Sequence, residues 1–325
     1  GKTSNSERKI KINALKENNI NIIFGTHALF QKKTEFGNLG LIIIDEQHKF
    51  GVKQRMELSK KGGENCDILV MSATPIPRTL IMTFYGDMDV SKLTEKPSYR
   101  KEIISLSKPE IKINEVIKFI KKEITNKNQI FWVCPLIDES KKLDYEAAVK
   151  KFEYLNKIFT GKVGLIHGSL KNEQKETVLK NFLDKKIQIL VSTTIIEVGI
   201  DFPNANVIVI ENSNKFGLSQ LHQLRGRVGR SNMQATCILL YKKNLSENAK
   251  KRINILKSTN DGFKIADEDM KLRGFGDILG YKQSGIKEFK LADPIHHEKL
   301  FKIAEMNIKE IENKEQNLKK YEPLI

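Results

Sequence analysis

Short apolar runs alternate with longer mixed stretches along this chain. Residues 20–24, 39–44 and 68–71 are mainly apolar and of strand length. Residues 6–16 and 52–61, set among them, have the mixed apolar and polar spacing that suits helices. The order recurs after residue 100. Residues 113–124 predict a helix, 129–134 a strand, 145–159 a helix, 163–167 a strand, 172–183 a helix and 187–192 a strand. Residues 207–210 and 236–241 predict two more strands. Strands that are apolar on both faces and separated by helices indicate parallel α/β sheets. Two such sheets are expected, joined near residues 94–100, where Pro97 interrupts the pattern. Beyond Tyr241 the strands stop. Residues 245–259 and 301–321 read as charged helices with a glycine-rich stretch between them.

A length of 325 residues is enough for two domains with separate cores. The formal charge of +16 points to a polyanionic partner, nucleic acid before an anionic membrane. A lysine-rich proteome is the competing explanation, so charge leaves the matter even. Cys66, Cys134 and Cys237 are far apart and form no C-x-x-C pair, which argues against a zinc site or a disulfide framework. No run of about 18 apolar residues is present, so a soluble cytoplasmic protein without a membrane partner is expected. His296 and His297 have no accompanying carboxylate–cysteine cluster and are read as surface residues.

Four stretches carry chemistry. In LIIIDEQHKF (residues 41–50) an apolar strand delivers Asp45 and Glu46 at its C-terminal end, where open α/β sheets bind ligands. One carboxylate can hold Mg²⁺ beside a triphosphate while the other orients or deprotonates the attacking water. His48 stands two residues further on, placed to sense a γ-phosphate. A solvated acidic turn is the bland alternative, outweighed by the four aliphatics before the pair. In VMSATPIPRTL (residues 70–80), Ser72 and Thr74 end a strand with hydroxyls able to hydrogen-bond the acidic pair, a weak signal alone. In VSTTIIEVGIDFPNA (residues 191–205), Thr193 and Thr194 end another strand and are followed by Gly199 and Asp201. Hydroxyls and backbone N–H groups at such a turn suit phosphate contacts, with Asp201 meeting a ribose or an arginine; a plain strand-to-helix turn remains open. In QLHQLRGRVGRS (residues 220–231), Gln223, Arg227 and Arg230 are spaced with glycines at 226 and 229. Two guanidiniums can reach a shared phosphate with charge they cannot lose; a basic loop on nucleic-acid backbone is the alternative.

In this order the four stretches resemble motifs II, III, V and VI of superfamily 2 helicases. GTHALFQ (25–31), DEQHKFGVKQR (45–55), YGDMDVS (85–91), WVCPLIDES (132–140) and DGFKIADEDMKLRGFGDILGYKQSG (261–285) narrow the resemblance to the RecG family, over nearly the whole chain. The transcription-repair coupling translocase shares the GTH and ATPIPRTL elements but typically has DEEH, so Gln47 and Gln54 favour RecG. The resemblance implies RecA-like parallel sheets, the first partial (residues 1–98) and the second complete (99–241), with a helical extension (242–325). It implies ATP and Mg²⁺ bound between two RecA-like domains, with Asp45 organising Mg²⁺, Glu46 activating water, and Gln223, Arg227 and Arg230 closing on the phosphates. Thr26 and His27 match a motif that contacts the DNA backbone, although a reading of His27 alone makes it structural. Arg273 and Gln283 match a glycine-rich translocation element, for which a flexible linker is the compositional alternative. The implied partners are branched duplex DNA (forks and four-way junctions, in repair and recombination) and single-stranded DNA-binding protein.

A helicase also needs a phosphate loop, G-x-x-x-x-G-K-[ST]. Gly1-Lys2-Thr3 is not read as one, because polar residues follow it where an apolar helix should, and only 43 positions separate Lys2 from Asp45. Instead it resembles a turn before a helix, with Ser6 as expected N-cap and Lys9 at the capping-box position. The P-loop and the branch-gripping wedge domain of the family are therefore expected upstream, leaving the first sheet with an exposed edge and face. This chain alone is then expected to lack ATPase. The rival reading is a non-catalytic nucleic-acid-binding remnant; an RNA helicase is a weaker third.

Overall fold

The computed structural model describes residues 4–31, 34–46, 60–62, 66–72, 89–135, 141–193 and 202–273, with 300, 303–304 and 306–307. It divides into two compact units, residues 1–75 and 76–325.

The first unit opens with α1 (Asn5–Lys16). Its N-cap is Ser4, not the expected Ser6. The Ser4 hydroxyl accepts the Glu7 N–H, and the Glu7 carboxylate accepts the Ser4 N–H, each at 3.3 Å. A cap at Ser6 would put Lys9 in the reciprocal position, which has no acceptor to offer. Residues 20–24 form no strand: Ile22 and Phe24 are 74% and 94% exposed, and the run finds no ladder partner among the described residues. Strands β1 (Leu41–Ile44) and β2 (Asp67–Val70) pair in parallel, from Leu41 opposite Asp67 to Ile44 opposite Val70. Ile42 and Ile44 turn inward with Leu39 and Cys66. Leu41 and Ile43 are more than half exposed on the other face, as the period of two requires. Of the helix expected at 52–61, residues 52–59 lie outside the described residues.

The second unit contains a six-stranded sheet in which every paired neighbour is parallel, in the order β3-β8-β7-β4-β6-β5. Its elements are β3 (Ile104–Pro109), α2 (Ile113–Thr125), β4 (Gln129–Val133), α3 (Lys141–Ile158), β5 (Val163–Ile166), α4 (Asn172–Leu183), β6 (Ile189–Ser192), β7 (Ala205–Ile210), α5 (Leu218–Arg225), β8 (Thr236–Tyr241), α6 (Glu247–Ser258) and α7 (Gly262–Arg273). All of β4, β6 and β7 is buried, as continuous apolar runs predict for central strands. One face of the sheet packs Phe131, Leu190, Ile208 and Leu239 against Phe182 of α4, Leu221 of α5 and Leu256 of α6. The other packs Trp132, Val191 and Val209 against Ile120 of α2 and Leu155 of α3.

Two elements depart from the expected pattern. Strand β3 alternates Ile104 and Leu106 with Ser105 and Ser107 and ends at Pro109, which disguises it; an edge position beside β8 tolerates that pattern. Helix α7 occupies the start of the stretch expected to be glycine-rich, because after Gly262 at its first position the next glycine is Gly274. The helix expected at 301–321 lies almost wholly outside the described residues. Among the described residues no helix is long and apolar enough to cross a membrane.

Helices α1, α2 and α4 end alike. In α2 the Lys127 N–H donates to Ile124 O and the Asn128 N–H to Glu123 O, both at 3.0 Å; in α4, Lys185 bonds Phe182 O and Lys186 bonds Asn181 O. These are Schellman closures, which need a left-handed residue. Asn18, a common choice, supplies it in α1 at φ 60°. Lys127 (φ 62°) and Lys185 (φ 59°) supply it in α2 and α4, where glycine would avoid a cost of about 1 kcal/mol.

Candidate functional site

In the first unit, Asp45 and Glu46 follow β1 directly. The Met71 N–H donates to Ile44 O at 2.8 Å, so the ladder runs to the strand ends and sets Ser72 at the same C-terminal edge as the acidic pair. Asp45 is exposed and its Oδ1 accepts the Glu46 N–H at 2.8 Å. Glu46 is held at φ 54°, a left-handed conformation uncommon for glutamate. His48 and Thr74 lie outside the described residues.

Thr26 precedes a 3₁₀ turn, His27–Phe30. Two cations from elsewhere in the unit fix that turn. Arg8 of α1 donates to Gln31 Oε1 at 2.7 Å and to Ala28 O at 3.4 Å. The Lys61 ammonium donates to Gln31 O and Thr34 O at 2.5 and 2.7 Å. The segment carrying Thr26 and His27 therefore has a braced backbone.

In the second unit, Thr193 follows β6 and is buried, while Thr194, Gly199 and Asp201 lie outside the described residues. Gln223, Arg227 and Arg230 are carried by the C-terminal part of α5 and the turn after it. Gly229 makes that turn possible: its φ is +73°, and a Cβ there would stand 3.2 Å from both Ala235 Cβ and Ile103 Cγ1. Arg273 is the last residue of α7, and Gln283 lies outside the described residues.

The residue that sequence reasoning missed is Arg225, only 2% exposed. Its Nη1 donates to Leu256 O at 2.7 Å and Thr259 O at 2.8 Å, and its Nη2 donates to His222 Nδ1 at 3.2 Å. Burial, then the Arg225 charge, lowers the His222 pKa to about 4, so this ring is a neutral acceptor at physiological pH. On the same helix, the Ser219 hydroxyl donates to Asp269 of α7. Helix α5 is thus tied to α6 through Arg225 and to α7 through Ser219. The signal was present in the helical phase: Leu218, Leu221 and Arg225 fall on one inward face at i, i+3 and i+7.

A second cluster closes the C-terminal edge of this sheet. Glu211, just past β7, takes the Lys151 ammonium of α3 at 2.6 Å and the Cys134 thiol at 3.7 Å. Lys151 also lies 5.5 Å from the Trp132 ring centre and 5.1 Å from that of Tyr154. Burial, reinforced by Glu211, pushes the Cys134 thiol well above its ordinary range, which makes it a donor and not a nucleophile. The connection that leaves Glu211 for α5 is held again by Arg252 of α6, which donates to Phe216 O at 2.8 Å and Asn214 O at 3.1 Å.

Two parallel sheets, one with an acidic pair at a strand end and the other with an arginine–glycine turn after a helix, define an α/β protein with a two-stranded and a six-stranded sheet. Residues 1–83 match the DEAD/DEAH box helicase family, residues 111–232 the helicase conserved C-terminal domain, and residues 259–325 the ATP-dependent DNA helicase RecG, domain 3, C-terminal. The chain is 48% identical to ATP-dependent DNA helicase RecG of Thermotoga maritima over 96% of its length and 40% of the relative's. It is 47% identical to RecG of Bacillus subtilis over 91% of its length and 44% of the relative's. Among solved structures, RecG bound to a three-way DNA junction aligns with a TM-score of 0.69 at 45% identity, over 92% of this chain and 38% of that one. The Mycobacterium smegmatis helicase Lhr, with a TM-score of 0.52 at 16% identity over 78% of this chain and 36% of that one, shares the fold alone. The chain belongs to the RecG family and spans about two fifths of the length of these relatives.

Proposed function

We propose that the protein carrying this chain is an ATP-dependent DNA helicase of RecG type that remodels branched duplex DNA, such as stalled forks and four-way junctions. The observation that carries this reading is the 45–48% identity to RecG over more than nine tenths of the chain, with the helicase motifs at strand ends and helix ends. In this reading the domains are residues 1–98, 99–241 and 242–325. Glu46 orients and deprotonates the attacking water, a role supported by its place at the C-terminal end of β1. Ser72 and Thr74 report the state of that edge to the rest of the unit. Gln223, Arg227 and Arg230 neutralise charge on the transferred phosphoryl group, with Gly199 and Asp201 on the nucleotide. Mg²⁺, when bound, supplies further positive charge beside the phosphates; the exposed Asp45 carboxylate offers the hard oxygen donors such an ion needs, acting through water. His48 senses the γ-phosphate. Thr26, His27, Thr193 and Thr194 contact the DNA backbone, while Arg273 and Gln283 belong to the element that moves the duplex. A single-stranded DNA-binding protein is a further partner of this reading.

The test is ATP-dependent release of a labelled strand from a three-way junction by the full-length protein. Arg227→Ala and Arg230→Ala should each abolish release while leaving junction binding in place. Release without ATP, or undiminished release by both variants, would overturn the reading.

A further inference from the structure

The N-terminal edge of the six-stranded sheet lies opposite the edge that carries Thr193. Three neighbouring turns meet there. The Gln188 and Ile189 N–H groups both donate to Lys162 O, and the Ile130 N–H donates to Gln188 O, which sets the turns before β4, β5 and β6 side by side. Each turn exposes lysine: Lys127 before β4, Lys162 before β5, Lys185 and Lys186 before β6. Lys122 and Lys180, on the helices that run into these turns, are not buried either. Of the carboxylates nearby, Glu123 accepts from Asn128 at 2.7 Å, and Asp184 makes only a 3.8 Å contact with Lys186. Among the described residues no ion pair engages Lys127, Lys162 or Lys185.

Local stability does not explain the choice of residue. Lys127 and Lys185 stand at left-handed positions, where the backbone disfavours any side chain. The favourable interaction of an exposed cation with a helix C-terminus is no larger than that cost. The comparable turn after α3 uses Gly161 at φ +71° and places its lysine one residue later. Charge is therefore presented along this edge at two positions where glycine would serve the fold better.

We propose that Lys127, Lys162, Lys185 and Lys186 form a second DNA-backbone contact, a strip that holds duplex phosphates without reading sequence. Strands of four or five residues separate it from Thr193 by roughly 13 Å or more, so it engages a different stretch of phosphates. Lysine suits this role as a point charge on a flexible stem. The proposal rests on the reading of this protein as one that acts on duplex DNA.

The test is equilibrium binding of a labelled blunt duplex to the 325-residue chain as a function of salt. For Lys127→Gln/Lys162→Gln/Lys185→Gln the slope of log affinity against log salt should fall by about 2 to 3, at about 0.9 for each phosphate no longer neutralised, with affinity at least about 10-fold weaker. The triple variant Lys250→Gln/Lys251→Gln/Lys257→Gln on α6 removes equal charge and should bind within about two-fold of the parent. Lys127→Gly/Lys185→Gly should weaken binding while keeping or raising the melting temperature, a split that a structural role would not produce. Equal weakening by the two glutamine triples overturns the strip, as does unchanged binding by the first. Failure of the 325-residue chain to bind duplex overturns the strip, and failure of the full-length protein to bind it as well overturns the DNA reading.

Discussion

Replacing Arg225 with methionine keeps the length and packing of the stem and removes the guanidinium. Two bonds to main-chain carbonyls disappear, at 2.7 Å to Leu256 O and 2.8 Å to Thr259 O, and the acceptors are left in a largely buried setting. A hydrogen bond from a charged donor contributes about 1.5–3 kcal/mol, and stranded buried acceptors add to the loss. The solvation that an unburied arginine would have recovered offsets part of this, so a net loss of about 3–5 kcal/mol is expected. For a unit of this size, about 2–4 °C per kcal/mol translates into a fall of roughly 10 °C in melting temperature. Hydrogen exchange should show the loss first at the end of α6 and in the link to α7, where the guanidinium closes the helix. Arg225→Lys should recover less than half, because a single ammonium cannot reproduce the fork that spans both carbonyls. A loss below about 1 kcal/mol for Arg225→Met, or exchange that rises uniformly, would refute the assignment of Arg225 as the clamp between α5 and α6.

Lys151→Met and Glu211→Leu each break a mostly buried ion pair and should cost about 2–4 kcal/mol, whereas the two together should cost less than either; an additive double-mutant cycle in urea would contradict the pairing. Gly229→Ala should lose about 1–3 kcal/mol by thermal denaturation, since positive φ and the 3.2 Å approach to Ile103 and Ala235 both oppose a Cβ; a neutral variant would refute the turn. For His222, the folded pKa of about 4 lies below the unfolded value near 6.5, so the unfolded chain binds the extra proton between those limits. Stability should therefore fall as pH drops from about 6.5 towards 4, with a His222 contribution of up to about 1.4 kcal/mol per unit, and His222→Gln should flatten that slope.

Much of the second unit is legible in the pattern of apolar residues. Helix α4 and strand β8 begin and end at the expected residues, because strong boundary signals flank them: polar turns on either side and an unbroken apolar run in β8. Strand β3 is not legible, since serines alternate with its apolar residues and only the neighbouring β8 defines it. In the first unit the apolar run at 20–24 has the length of a strand, but ladder formation depends on a partner that composition does not reveal. The N-cap is Ser4 and not Ser6 because the acidic partner at position N3 decides between two serines so close together. The candidate site is legible as residue identities and spacing: Asp45, Glu46 and Ser72 do share one strand-end edge. Its supports are not. Nothing in a linear pattern shows that Glu46 is held at positive φ, or that Lys61 braces the turn after Thr26. Arg225 illustrates the gap. Its neighbours Arg227 and Arg230 stand out in the sequence as candidate phosphate ligands, while the arginine on the apolar face of the helix is the one that the packing encloses.

The central claim under test is the proposal that the protein carrying this chain hydrolyses ATP in response to DNA and that Glu46 serves that hydrolysis. The most direct measurement is DNA-stimulated ATP hydrolysis by this chain alone and by a version extended upstream through a phosphate-binding loop, each with and without Glu46→Gln. The account predicts turnover by the extended protein, stimulated by branched duplex, abolished by Glu46→Gln, and none from the 325-residue chain. Turnover by the extended protein that survives Glu46→Gln, or DNA-stimulated turnover by the short chain, would contradict it.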